Sequence, residues 1–153
     1  MSVIRVYADT SVFGGAFDEE FQAASKVFFL QVRSGGFKLV TSALVQEELE
    51  PAPTEVRRLF EELLDIVDVV EVSEEALSLR DGYLESGIVS TQWADDALHV
   101  ALATVADCSL IVSWNFKHIV HFEKIPLYNA VNTLRGYSGI GIFSPLEVIQ
   151  YEG

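Results

Sequence analysis

Apolar and polar positions along this chain switch repeatedly between a strand-like and a helix-like rhythm, and the switches mark its elements. Residues 3–8 read as a short buried strand, with Arg5 set into its pattern. Residues 18–32 follow as a helix stopped by Gly35 and Gly36. Residues 37–41 predict a second strand and 42–50 a helix ended by Pro51 and Pro53. Thr54 is placed to cap the next helix, where Val56, Leu59, Phe60, Leu63 and Leu64 recur at helical spacing with Glu61 and Glu62 on the wet side. Residues 67–72 alternate as an edge strand does, Ser73 caps a further helix, and Gly87 ends it. Residues 93–106 are rich in Ala and Leu, the mark of a helix packed on two sides. A buried strand over 110–113, a helix over 125–134, a last strand over 140–143 and a capping box of Ser144 with Glu147 complete the order. Such alternation predicts a three-layer α/β/α fold whose central sheet is mainly parallel and covered by helices on both faces. With no repeat, linker or low-complexity tract, residues 1–153 read as a single domain.

Composition narrows the class. Half of the residues are hydrophobic and 22% are charged, which places the chain among globular proteins. The apolar share is generous for a monomer, so a surface kept for a partner or a second copy is expected, most simply a homodimer. No apolar run approaches a membrane span, and the first residues do not form a signal peptide, so a cytoplasmic protein without membrane contact is expected. Cys108 is the only cysteine. Internal disulfides and thiolate metal sites are thereby excluded, and a buried core thiol is its expected identity.

Four acidic or amide residues carry the candidate chemistry: Asp9, Glu48, Asp96 and Asn115. Each falls where a strand hands over to a helix or within a helix's first turns. An open α/β sheet gathers such positions into one crevice beyond the carboxyl ends of its strands. Clustered carboxylates repel one another and are best tolerated around a hard divalent cation, which prefers oxygen ligands. Phosphodiester hydrolysis uses that arrangement: a metal ion lowers the pKa of an attacking water and offsets charge on the leaving oxygen. The residues therefore point to a metal-dependent phosphodiesterase.

Net charge bears on the substrate. Ten Lys plus Arg against 23 Asp plus Glu give −13, and such a chain as a whole repels nucleic acid. Bound divalent ions reverse the sign locally. The few cations are also grouped, Arg57 with Arg58, and Lys117 with His118, His121 and Lys124 just after Asn115. Lys117 is placed to meet a phosphate as a point charge.

Bland readings stand beside each of these. Asp9 also serves as a strand-end turn residue, with Thr10 or Ser11 capping a helix. Glu48 lies in an acidic run, but Glu47 projects about 100° away from it, so only one of the two faces the crevice. Asp95 and Asp96 pose the same choice; Asp96 shares a face with His99 and Val100, while Asp95 aligns with Leu98 and Leu102. His99 reads as a satisfied core histidine or a group behind the ligands. Asp18 reads as an N-cap, and Asn115 has the alternative role of capping the turn into Phe116 and Lys117.

Tyr7-Ala8-Asp9-Thr10-Ser11, Ser42 six residues before Glu48-Leu49, the run Asp96-Ala97-Leu98-His99-Val100-Ala101 and the run from Val112 to His118 together resemble the PIN domain, the nuclease domain of VapC-type toxins. The likeness extends into Ala130-Val131-Asn132 and Ser144-Pro145-Leu146-Glu147 and so covers nearly the whole chain. It implies a ribonuclease, the toxin of a toxin–antitoxin pair, that cuts RNA with Mg²⁺ or Mn²⁺ and forms a dimer held by a small antitoxin protein. The matching catalytic and metal-binding positions are Asp9, Glu48, Asp96 and Asn115; the commoner pattern has aspartate where this chain has Asn115. That departure keeps an alternative open, a non-cleaving PIN-like module that binds RNA or protein through a weakened metal site. A haloacid-dehalogenase-like phosphatase needs a second acid where Ser11 stands, and a receiver domain needs a lone Asp after a central strand that is absent here.

Overall fold

The computed structural model describes residues 3–151. Strand β1 (Ile4–Ala8) runs through the middle of a five-stranded sheet, because Val6, Tyr7 and Ala8 carry no charge and are buried on both faces. On one side lie β2 (Phe37–Ser42) and then β3 (Asp68–Val70); on the other lie β4 (Leu110–Val112) and then β5 (Gly141–Phe143). All four pairings are parallel, with Val6 opposite Leu39 in β2 and opposite Leu110 in β4. β3 is an edge strand, as its alternation predicts.

Helices close both faces, giving the three-layer α/β/α architecture. One layer holds α1 (Thr10–Gly15), α2 (Gln22–Arg33), α4 (Thr54–Leu63) and the short α8 (Pro145–Val148), which pack on one another; the other holds α5 (Glu74–Glu85), α6 (Ala94–Val105) and α7 (Ile125–Leu134). α3 (Ala43–Glu48) continues directly from β2, with the Ser42 hydroxyl accepting the Val45 N–H at its start. α6 is buried from Ala97 to Thr104, which explains its Ala-rich composition: small side chains let it lie close to both the sheet and α5. Cys108 is a buried free thiol. Among the described residues no helix is long and apolar enough to cross a membrane.

Three local expectations change. The helix expected over 18–32 begins at Gln22, because the Asp18 carboxylate accepts the Glu20 N–H at 2.8 Å and its carbonyl accepts from Phe21 and Gln22, absorbing the preceding residues into turns. Pro53, not Thr54, occupies the cap position of α4. Ser144 caps α8 only through its backbone carbonyl, which accepts the Glu147 N–H at 3.1 Å; the side-chain capping box does not form.

The strand order fixes where a ligand sits. The chain leaves β1 toward β2 on one side and returns to β4 on the other, so the sheet's switch point lies between the carboxyl ends of β1 and β4. In open α/β sheets that crevice is the binding site.

Candidate active site

Asp9 is the first residue beyond β1 and stands at the switch point, only 4% exposed. It is the N-cap of α1: its Oδ1 accepts the Ser11 N–H at 3.1 Å and the Ser11 hydroxyl at 2.6 Å. Its Oδ2 accepts the Ser113 hydroxyl at 2.5 Å. Both hydroxyls are themselves aimed by backbone donors of the loop after β4, Trp114 N–H to Ser11 Oγ at 2.8 Å and Asn115 N–H to Ser113 Oγ at 2.9 Å. Two serines thus tie the β1 corner to the β4 corner and orient the carboxylate between them. Burial pushes the Asp9 carboxyl above its ordinary range, against the opposing pull of His99 and the two serines, with Glu48 adding to the rise.

A second buried network holds Glu48. The Tyr7 hydroxyl lies 2.8 Å from both Ser42 Oγ and His99 Nδ1, and His99 Nε2 lies 2.7 Å from Glu48 Oε1. The Thr10 hydroxyl donates to the same Glu48 oxygen at 2.5 Å. Burial alone lowers the basicity of His99, yet the bond to Glu48 and the charges of Asp9, Glu48 and Asp96 outweigh it and hold its pKa above the usual histidine value. The Glu48 carboxyl moves the other way: burial raises it, but His99 and Thr10 together bring it below its ordinary value. With Glu48 ionised, Nε2–H donates to it, and Tyr7 fixes the opposite edge of the ring.

Asp96 lies in the first turn of α6, half-buried, and its charge acts on His99 and His118; Asp95 beside it is exposed. Glu48 is likewise turned inward while Glu47 is exposed, though it closes the six-residue α3 and does not open it. Asn115 follows β4 by three residues, and its side-chain oxygen accepts the His118 N–H at 2.9 Å, capping the turn of its loop. Lys117 is exposed, its ammonium 5.5 Å from the centre of the Trp93 ring. Glu48 is bonded to His99, the charges of Asp9 and Asp96 reach the same ring, and the Asn115 backbone joins Asp9 through Ser113.

No protein-family model matches the sequence, and no curated protein matches it significantly. Solved structures do. A chain of the DNA-bound VapBC complex from Salmonella typhimurium is 16% identical, with 94% of this chain and 99% of that chain covered and a TM-score of 0.59. FitAcB from Neisseria gonorrhoeae is 11% identical over 92% and 98% of the two chains, with a TM-score of 0.58. VapC20 from Mycobacterium tuberculosis, a sarcin–ricin loop cleaving toxin, is 12% identical over 88% and 98%, with a TM-score of 0.52. The chain carries a VapC-like PIN-domain fold. At these identities the likeness is one of fold.

Within this PIN fold, the donors at the crevice suit a hard cation. Asp9 is buried among neutral donors, and among the described residues neither Asp9 nor Asp96 has a lysine, arginine or histidine as ion-pair partner. A buried carboxylate whose desolvation the pull of His99 does not offset is costly unless a cation completes it. Among the described residues, no three His, Cys, Asp or Glu side chains stand close enough to hold one ion as they are. The oxygen-only donor set fits a divalent ion in kind, and its closure around one requires side-chain rotation. The sequence points to no role for Ser113 or Tyr7, and for Ser11 only to that of a helix cap. All three had a signal, each lying two residues from Asp9 or Asn115, but the bond of Tyr7 to His99, 92 positions away, had none.

Proposed function

We propose that this chain is a divalent-metal-dependent endoribonuclease, one nuclease domain over residues 1–153, acting as the toxin of a toxin–antitoxin pair. The observation that carries the reading is Asp9: a buried carboxylate at the switch point of a PIN fold, beside Glu48 and Asp96, whose hydrogen-bond donors are neutral and whose pKa stays raised despite the pull of His99. Asp9, Glu48, Asp96 and Asn115 would hold Mg²⁺ or Mn²⁺. Such an ion supplies Lewis acidity, lowering the pKa of an attacking water and offsetting charge on the leaving oxygen. The protein's part is positioning. Ser11 and Ser113 aim Asp9, His99 and Thr10 aim Glu48, and Lys117 meets a substrate phosphate.

The antitoxin partner is supported by the VapBC and FitAcB likenesses. A groove of about 320 Å³ lined by Phe17, Phe29, Leu30 and Leu59, with Lys26 and Arg33 at its rim, offers apolar surface for a helix. The chain's net charge of −13 would speed the approach of a basic partner, while Lys26 and Arg33 favour an acidic side chain on the segment that enters the groove. The same apolar surplus supports self-association as a homodimer.

A second reading is favoured by one contact, the Asn115 side-chain oxygen already engaged by His118 N–H. In that reading the PIN fold binds RNA or protein without cutting. Cleavage of single-stranded RNA in Mn²⁺, stopped by EDTA, separates the two. Asn115→Asp adds a ligand charge, and affinity in oxygen-ligand sites rises with charged ligands. The variant is expected to reach half-maximal cleavage at a lower Mn²⁺ concentration than the parent. Identical Mn²⁺ activation curves would leave Asn115 as a turn cap only.

A further inference from the structure

Next to Asp96 and Asn115, aromatic rings and cations interleave in a way the metal site does not use. Trp93 ends the short 3-10 turn that leads into α6 and is 37% exposed. Its ring stacks on His118, with centroids 4.7 Å apart and planes at 27°. His118 is buried, and among the described residues neither of its ring nitrogens has a hydrogen-bond partner, so stacking on Trp93 is an apolar contact that holds its ring. The backbone of His118 is pinned by Asn115, which fixes the pair relative to the crevice. Over the Trp93 ring lies the Lys117 ammonium, and Phe116 beside it is half exposed. Farther along the same loop, Phe122 is 80% exposed and stacked on His121.

We propose that Trp93, backed by His118 and flanked by Lys117, is a stacking platform for an unpaired base of single-stranded RNA beside the cleavage crevice. This rests on the RNA-substrate reading above and adds a binding subsite to it. Single-strand binders combine exposed aromatic rings with cations that follow the backbone, since every base has a stacking face whatever its identity. Cations are scarce in this chain, 10 against 23 acidic residues, yet residues 117–124 hold two lysines against Glu123 alone. That balance favours a polyanion here over a basic protein partner. The contact of Lys117 with the ring is of a kind that is weak at exposed positions. A base that takes its place on Trp93 leaves the ammonium free beside the neighbouring phosphate.

The chain has two tryptophans, and Trp114 is buried, so Trp93 is the exposed reporter. The probe is an oligouridylate of about eight nucleotides, within single-strand site sizes, titrated in EDTA so that binding is read without cleavage. Expected results are quenching of tryptophan fluorescence on binding, roughly tenfold weaker binding by Trp93→Ala in an anisotropy assay, and near-parental binding by Trp93→Tyr. Melting curves establish that the variants are folded; if Trp93→Ala is not, quenching in the parent and the affinity of Trp93→Tyr decide. Binding by folded Trp93→Ala within about twofold of the parent, RNA binding without quenching, or no RNA binding would overturn the platform. So would quenching by the antitoxin partner and not by RNA. If RNA binds in a Trp93-dependent way but is never cut in Mn²⁺, the nuclease reading fails and the platform stands.

Discussion

Asp9→Asn is expected to abolish RNA cleavage while making the metal-free protein more stable. Removal of partners that merely orient metal ligands costs about 10–100-fold in affinity or activity, so loss of a ligand carboxylate should reduce cleavage by about a hundredfold or more. The stability change has the opposite sign. Burial holds the Asp9 carboxyl above its ordinary pKa, so its ionised form is the one the fold disfavours. A group whose folded pKa exceeds its unfolded pKa loses its stabilising contribution as pH rises from the unfolded value, about 4 for Asp, through the folded one. In EDTA at neutral pH, Asp9→Asn should therefore melt at a higher temperature than the parent, and the gap should close as pH falls toward the carboxylate range. Asp96→Asn is expected to lose cleavage similarly, whereas the exposed Asp95→Asn keeps it. A melting temperature that falls for Asp9→Asn at neutral pH would mean that its hydroxyl and amide contacts outweigh the cost of its buried charge.

Gly15→Ala is expected to be the most damaging single methyl group near the site. A Cβ at Gly15 would lie 2.7 Å from Trp114 Nε1 and 2.8 Å from Ser25 Oγ, inside the bond of 2.8 Å that joins those two atoms. Neither partner can retreat easily. Ser25 is fully buried, and Trp114 is stacked on Phe21 with centroids 4.3 Å apart. Overpacking costs about 1–3 kcal/mol, and loss of a buried hydrogen bond costs about 1–3 kcal/mol more. The helical preference for Ala returns only about 0.5–1 kcal/mol. A net loss of about 2–4 kcal/mol corresponds to a melting temperature lower by roughly 5–15 °C for a chain of this size. Because Trp114 sits between Ser113 and Asn115, cleavage should weaken as well. Gly14→Ala is the control: nothing lies within 4 Å of its Cβ position, and it should be neutral or slightly stabilising. Equal melting temperatures for the two variants would contradict this account of Gly15.

Periodicity made most of the framework legible. Residues 125–134 form α7 with the bounds their apolar spacing gives, and the buried runs at 3–8 and 110–113 contain the central strands β1 and β4. Helical phase let only one of Glu47 and Glu48, and one of Asp95 and Asp96, face inward, since neighbours on a helix point about 100° apart, and the resemblance chose Glu48 and Asp96, the less exposed of each pair. What escaped has physical reasons. α1 spans six residues, too few for a helical period to stand out, and ends on Gly14 and Gly15, of which Gly15 is required by the close approach of Trp114. The bonds from Tyr7 to His99 and from Ser113 to Asp9 join residues 92 and 104 positions apart, and nothing in local sequence announces them. For Asn115 the turn-capping role legible in the sequence is the one its side-chain oxygen plays, accepting from His118 N–H.

The central claim is that Asp9, with Glu48, Asp96 and Asn115, binds a divalent cation in the crevice between β1 and β4. Calorimetric titration of Mn²⁺ into the purified parent and into Asp9→Asn tests it most directly. Saturable binding by the parent that is lost in Asp9→Asn is the predicted result. Equal binding by the two proteins, or none by the parent, would contradict it.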